Sequence, residues 1–555
     1  MMGVSQGDRL VICAHTCPEW QLTEWAALAA GVIVVGVDAH APSDHLEYVL
    51  GHCNASGLVV DSLHKAESLS GAMRKQLRFL ATLEPVEAGR LGEGVHSWQE
   101  LMEGKSAMAP ATTVGPDTPA TLIYTSGTTG QPKAILYTHR HLMAACDAIS
   151  RAFPAIGTKD SILCWLPMAH LFQRMMNLVA VSRGATAYYV DNPREVITCI
   201  REVEPSIFVA VPRFYERLYE GIIERVSECS RWLRATAQAA IRIGATMATY
   251  QREGRPVPLG LAVRYRLAEW LVLKRLRRVM GRDIRFMITG SAPTPRWLLE
   301  FLHGIGLLVL EAYGVSENTI PMAANRPESF RFGSVGKPFL ENEIQLAADG
   351  EILVRGPGVF GGYYRDESPE VIFTKEGFYP TGDLGHLDAD GFLYITGRKK
   401  EIIKTSTGRR ISPAKVEATY AQSPFFDQLV VLGNGRKFLV ALLSLRREAV
   451  ARELAIQGII PTNGDGQLKT CPEVQALAHQ QLEHFGQSLP PHERVVNFAI
   501  LPTPLSLERG ELTPTLKIRR NQVELDYADL VDSLYHAPPA LSAEQPASIS
   551  TENPT

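Results

Sequence analysis

Ten consecutive residues, Tyr124-Thr125-Ser126-Gly127-Thr128-Thr129-Gly130-Gln131-Pro132-Lys133, carry the most concentrated chemistry in the chain. An apolar run at 121–124 feeds directly into hydroxyls, two glycines and a terminal lysine. Glycine lets successive backbone N–H groups converge on an anion, the hydroxyls add donors, and the lysine adds charge. That combination suits a polyphosphate. It is not a Walker A loop, which needs Gly-Lys followed by Ser or Thr at a helix start; here Pro132 precedes the lysine and Ala134 follows it.

Four further stretches hold residue types that would complete a nucleotide site. In Glu311-Ala312-Tyr313-Gly314-Val315-Ser316-Glu317 an aromatic face can stack on a purine, a hydroxyl can bond a phosphate oxygen, and a carboxylate can ligate Mg2+. Tyr379-Pro380-Thr381-Gly382-Asp383-Leu384-Gly385 presents an aspartate, a two-oxygen hydrogen-bond acceptor. Arg398 follows it after a turn at Asp390-Gly391 and a strand, so both groups can meet one sugar. Leu512-Thr513-Pro514-Thr515-Leu516-Lys517 places a lysine after a Thr-Pro-Thr turn. A lone loop lysine is ordinarily solvated, so its chemical reading depends on the other motifs. No convincing Ser-His-Asp or Cys-His arrangement stands out.

Together and in this order, the motifs resemble those of the adenylate-forming superfamily: acyl-CoA synthetases, luciferases and peptide-synthetase adenylation domains. The resemblance spans roughly residues 5–535. Leu166-Pro167-Met168-Ala169-His170-Leu171-Phe172-Gln173-Arg174 and Val211-Pro212-Arg213-Phe214-Tyr215-Glu216 are similar to the long-chain fatty acid–CoA ligase branch. The resemblance implies ATP, Mg2+ and coenzyme A, with a long-chain fatty acid joined first to AMP and then to the CoA thiol. It assigns Lys517 as the catalytic lysine, while His170 reads either as a gate for the acyl chain or thiol or as a packed core histidine. Phosphate contacts fall to Thr125, Ser126, Gly127, Thr128, Thr129, Gly130 and Lys133, and nucleotide contacts to Tyr313, Gly314 and Ser316. Glu317, with Thr125, is the expected metal ligand. Asp383 and Arg398 hold the ribose, Gly290 and Ser291 border the acyl tunnel, Lys400 is the hinge, and Gly408 lines the pantetheine path. Two departures are plain: Ala134 stands where the family usually has glycine, and Ser316 where it usually has threonine. Relatives also carry further residues ahead of the segment matching Gly3 to Cys13, so the start at Met1-Met2 reads as late or truncated. Two rival readings are a fatty acyl-AMP ligase that delivers to a carrier protein, and an inactive lipid-binding relative.

These residues need a scaffold. A chain of 555 residues exceeds one hydrophobic core, so at least two domains are expected. Short apolar β-rich runs at 10–13, 32–37, 57–60, 121–124 and 186–190 alternate with helical stretches, which predicts an α/β fold of βαβ units. The expected architecture is a large N-terminal domain, 1–397, of mixed and parallel sheets flanked by helices. A small mobile C-terminal α/β domain, 398–536, carries the lysine, and a disordered tail from Ala537 closes the chain. A helical insertion is predicted over about 213–280. From Arg252 to Arg285 it holds ten basic residues against three acidic ones, and its pattern is amphipathic. That reads either as a solvated face over a core or as an element facing a membrane surface or an acyl-CoA.

A formal charge of −3 argues against a dedicated nucleic-acid binder. Eight scattered cysteines without a ligand-like cluster read as free thiols in a reducing compartment. The longest apolar run, from Trp25 to Val37, is too short to span a membrane. The chain therefore reads as cytoplasmic, with peripheral attachment at an inner membrane surface left open.

Overall fold

The structure is a computed structural model that describes residues 3–84, 95–103, 114–125, 132–365, 372–456, 471–506, 508–512, 518–538 and 540–541. It divides into two compact units, one of residues 1–381 and 386–394, the other of residues 382–385 and 395–555.

The first unit is built on two seven-stranded sheets. One runs in the order Val95–Ser97, Phe79–Thr82, Gly57–Val60, Arg9–Cys13, Ile33–Val37, Pro119–Thr125, Lys133–Thr138. Its strands are parallel until the last, which turns back as an antiparallel hairpin. Runs such as Ile-Val-Val-Gly-Val at 33–37 are buried at every position, which a parallel sheet covered on both faces demands. The second sheet runs Lys337–Pro338, Ala323–Ala324, Val309–Tyr313, Phe286–Thr289, Ile207–Ala210, Ser161–Cys164, Thr186–Tyr189, and is parallel from Val309–Tyr313 onward. In such sheets ligand-binding loops gather at the carboxyl ends of the strands. Thr125, Gly290 and Tyr313 all stand at or just past such ends.

A buried polar knot ties three elements of this unit together. Arg174, on the helix Leu171–Ser182, donates to Glu24 on the helix Pro18–Ala29 and, at 2.8 Å, to Thr121 Oγ1 in the strand that leads into the glycine-rich loop. Gln21, Gln173 and Asn177 complete it. Both members of the ion pair are essentially inaccessible to water.

The helical block lies where it was predicted, as Pro212–Glu228, Arg231–Arg252, Leu259–Ala268, a π turn at Glu269–Leu273, and Lys274–Arg277. The second unit holds a small hairpin, Ile403–Lys404 with Arg410–Ile411, and a three-stranded sheet of Phe426–Leu432, Leu439–Leu445 and Val495–Ile500. Helices Pro413–Tyr420, Arg447–Ile456, Pro472–Gly486, Arg520–Asp526 and Ala528–His536 complete this unit.

Two expectations need correcting. The boundary expected at 397/398 lies three residues beyond the division after Tyr394, which itself falls inside the strand Leu393–Arg398, and residues 382–385 also group with the second unit. The tail expected to be disordered from Ala537 is still packed at its start. Leu541 is buried, its N–H donates to Val496 O, and Ala540 N–H donates to Asn497 Oδ1. One apolar side chain and two backbone partners suffice to hold these residues; composition alone gave no sign of it.

Candidate active site

In the first unit the strands on either side of the glycine-rich segment pair as an antiparallel hairpin. Thr125 pairs with Lys133 and Tyr124 with Ala134, and Thr125 Oγ1 donates to Lys133 O at 3.3 Å. Ala134 therefore lies in the strand with its methyl buried, not in the loop. Ser126, Gly127, Thr128, Thr129 and Gly130 lie outside the described residues. Both shoulders of the hairpin are braced by one helix, Ser43–Cys53. His52 Nδ1 lies 2.8 Å from the Tyr124 hydroxyl, and the Tyr48 hydroxyl donates to Pro132 O at 3.3 Å. No sequence motif pointed to this brace.

Lys133 and Glu317 meet through a tyrosine that sequence reasoning missed. Tyr363 pairs with Ile135 in an isolated bridge, which sets its ring beneath Lys133, with Nζ 4.6 Å from the ring centroid. Its hydroxyl donates to Glu317 Oε1 at 2.9 Å. One side chain thus offers a π face to the ammonium and a hydrogen bond to the carboxylate. The Tyr379 hydroxyl stands 3.5 Å from that of Tyr363, and burial followed by the Glu317 charge pushes its ionisation well above the ordinary tyrosine range. It therefore stays a neutral phenol at physiological pH.

The backbone around Glu317 is fixed from beneath. Tyr137 donates to Ser316 O at 2.6 Å, Phe360 N–H donates to Glu317 O, and buried Asn318 bonds Asn342. Glu317 can therefore present its carboxylate with little reorganisation. The Glu317 carboxylate and the Thr125 hydroxyl are hard oxygen donors of the kind Mg2+ takes alongside phosphate oxygens.

Gly290 follows the strand Phe286–Thr289 and leaves room. A Cβ there would stand 3.1 Å from Ala312 O and 3.6 Å from the Phe172 ring. Ser291 adopts φ +69°, a left-handed conformation uncommon for serine, at the turn just after it. Phe172 belongs to the helix that His170 precedes as N-cap, so the residues expected at the acyl entrance approach the end of the strand beside Tyr313. Behind them, Glu311 is buried with one carboxylate oxygen lacking a hydrogen-bond partner. Burial raises its pKa from 4.5 to about 8, against the N–H bonds from Gly333 and Thr294 that work to lower it.

In the second unit Arg398 Nε lies 2.9 Å from Asp383 Oδ1. Asp383 is almost wholly buried while Arg398 is half-exposed, so the carboxylate is fixed and the guanidinium is reachable. Lys399 N–H donates to Gly382 O, which locks the segment just before Lys400. Gly408 sits at the tip of the small hairpin with φ +79° and open space around it, so its backbone conformation alone calls for glycine.

Lys517 lies outside the described residues, but its flanks are firmly held. Leu512 and Ile518 form a bridge, and Arg519 N–H donates to Glu511 O at 2.8 Å. Glu511 is buried and accepts from Arg509, Ser506 N–H and the Tyr527 hydroxyl. Burial works to raise its pKa, yet these donors together hold it below the ordinary value. On the other side Arg520 grips Glu417 at 2.6 Å.

The family model described as AMP-binding enzyme matches residues 1–364, and that described as AMP-binding enzyme C-terminal domain matches residues 400–538. The chain is 31% identical over 550 residues to the long-chain-fatty-acid–CoA ligase FadD15 of Mycobacterium bovis, covering 96% of this chain and 89% of that one. It is 29% identical to the peroxisomal long chain acyl-CoA synthetase 7 of Arabidopsis thaliana, covering 96% and 78%. In fold it resembles the adenylation domain of a carboxylate reductase from Mycobacterium chelonae, with a TM-score of 0.75 at 21% identity over 96% and 81% of the two chains.

Proposed function

The chain belongs to the AMP-binding enzyme family, and from that premise we propose that it is a long-chain fatty acid–CoA ligase working through an acyl-adenylate. The observation that carries the chemistry is the Lys133–Tyr363–Glu317 bracket beside the hairpin loop, a cation and a carboxylate held together where a strand ends. The choice of a long-chain acid and of CoA rests on what the relatives at about 30% identity are named for.

A carboxylate is a poor acyl donor, because its leaving group would be oxide. In the first half-reaction its oxygen attacks the α-phosphorus of ATP, the α–β bridging bond breaks, and pyrophosphate leaves. In the second, the CoA thiol attacks the acyl carbon, loses its proton and expels AMP. The first step brings two anions together, so cations must screen them. Lys517 is assigned to the carboxylate and α-phosphate, and Lys133 and Thr125 to the outer phosphates with residues 126–130. Asp383, with Arg398 beside it, accepts from the ribose hydroxyls, and Tyr313 faces the base. Mg2+ near Glu317 would neutralise phosphate charge, and Tyr363 holds that carboxylate in one orientation. For the second step, Lys517 leaves the site through a rotation about Lys400, and the turn at Gly408 takes its place along the pantetheine path.

Thioester yield from ATP, Mg2+, CoA and carboxylic acids of rising chain length tests the reading. The expected result is acyl-CoA, greatest with long chains. Acyl-AMP that accumulates without thioester would favour delivery to a carrier protein. No acid-dependent pyrophosphate release would mark a lipid-binding relative without activity.

A further inference from the structure

The helix Leu259–Ala268 and the π turn after it are apolar on two faces. The inner face, with Ala268 and Leu273 buried, packs into the core beside the helix Arg231–Arg252. The outer face carries Leu259, Val263, Leu267 and Trp270, spaced at one or two helical turns, and these are 57–86% exposed. A solvated helix face over a core carries polar side chains, and these four positions carry apolar ones instead. Exposed arginine and lysine accompany the stripe at Arg264, Arg266, Lys274 and Arg275. Residues 259–278 hold six basic residues and a single acid, and that acid, Glu269, is turned aside to bind Arg277.

We propose that this face is a docking surface for an anionic lipid bilayer, with the four apolar side chains entering the headgroup boundary and the flanking cations resting on lipid phosphates. Charge decides between the available occupants. A second copy meeting the stripe across a two-fold axis would set Arg264 and Arg266 against the same positive patch, a like-charge contact that opposes association. A bilayer with anionic headgroups satisfies both the apolar and the cationic part. The proposal is independent of the substrate reading, since it concerns a surface and not the reaction.

The test is flotation of the full chain with vesicles of phosphatidylcholine alone, and with about a third phosphatidylglycerol. Binding should be strong only to the anionic vesicles and should weaken with salt. Trp270→Ser with Leu267→Ser, and separately Arg264→Gln with Arg266→Gln, should each lower partition about tenfold or more. Since all four side chains are exposed, melting temperature should stay unchanged, which separates lost docking from lost fold. Equal binding by wild type and both variants would overturn the proposal. So would equal binding to neutral vesicles, or a concentration-dependent dimer that the Trp270 variant abolishes.

Discussion

Two buried or half-buried side chains decide how the site behaves at the scale of single residues. Tyr363 joins Lys133 to Glu317, so Tyr363→Phe keeps the ring under the ammonium and removes the hydroxyl's bond to the carboxylate together with its longer contact to Tyr379. A hydrogen bond to a charged group is worth about 1.5–3 kcal/mol, so the Mg2+-ATP concentration for half-maximal rate should rise about tenfold or more with melting unchanged. Steady-state kinetics against Mg2+-ATP would read this directly. Glu311 gives a pH signature. Its pKa rises from 4.5 to about 8 on folding, so the fold keeps it protonated where the unfolded chain ionises. Its contribution to stability is therefore most favourable below about pH 4.5, is lost as pH climbs towards about 8, and is flat above. Glu311→Gln should melt progressively higher than wild type between about pH 5 and pH 8, and a constant difference would contradict the assignment. Lys133, Glu317, Asp383 and Arg398 could be proposed from sequence because each sits in a motif with a chemical reason for its type. Tyr363 was not, because its place depends on a bridge to Ile135, far away in sequence.

Elements carry these residues to their positions, and the polar knot at Arg174 is the joint that matters most in the first unit. It connects the helix His170 caps to the strand entering the glycine-rich loop. Removing one partner of a buried ion pair leaves the other charge stranded, at a cost of about 3–5 kcal/mol. Arg174→Ala should therefore lower denaturation stability by about that amount, and a loss near the surface-pair range of about 0–1 kcal/mol would show the knot to be incidental. The strands were legible because apolar β-branched runs of five residues buried on both faces have few other homes. The helical block was legible from its length and composition. Which of its faces points outward was not: Leu267 and Trp270 fit a core-facing stripe equally well until packing places Ala268 and Leu273 inside. The brace from Tyr48 and His52 is likewise invisible in sequence, since it joins a helix to a hairpin through side chains that belong to no motif.

For the whole molecule, the division after Tyr394 separates two sets of candidate residues. The first unit holds the hairpin of Thr125 and Lys133, together with Glu317; the second holds the Asp383–Arg398 pair, the Gly408 turn and the flanks of Lys517. The family matches divide in the same sense, with residues 1–364 in one and 400–538 in the other. On the proposed mechanism this separation lets one lysine serve the first half-reaction and leave for the second. Lys517→Ala, assayed in each half separately, tests that most directly. Formation of acyl-AMP from fatty acid and ATP should fall at least about a hundredfold, the loss of about 3 kcal/mol expected for one charge-stabilising group. Conversion of supplied acyl-AMP and CoA to thioester should keep close to its wild-type rate. Equal loss in both halves, or an undiminished first half, would contradict it.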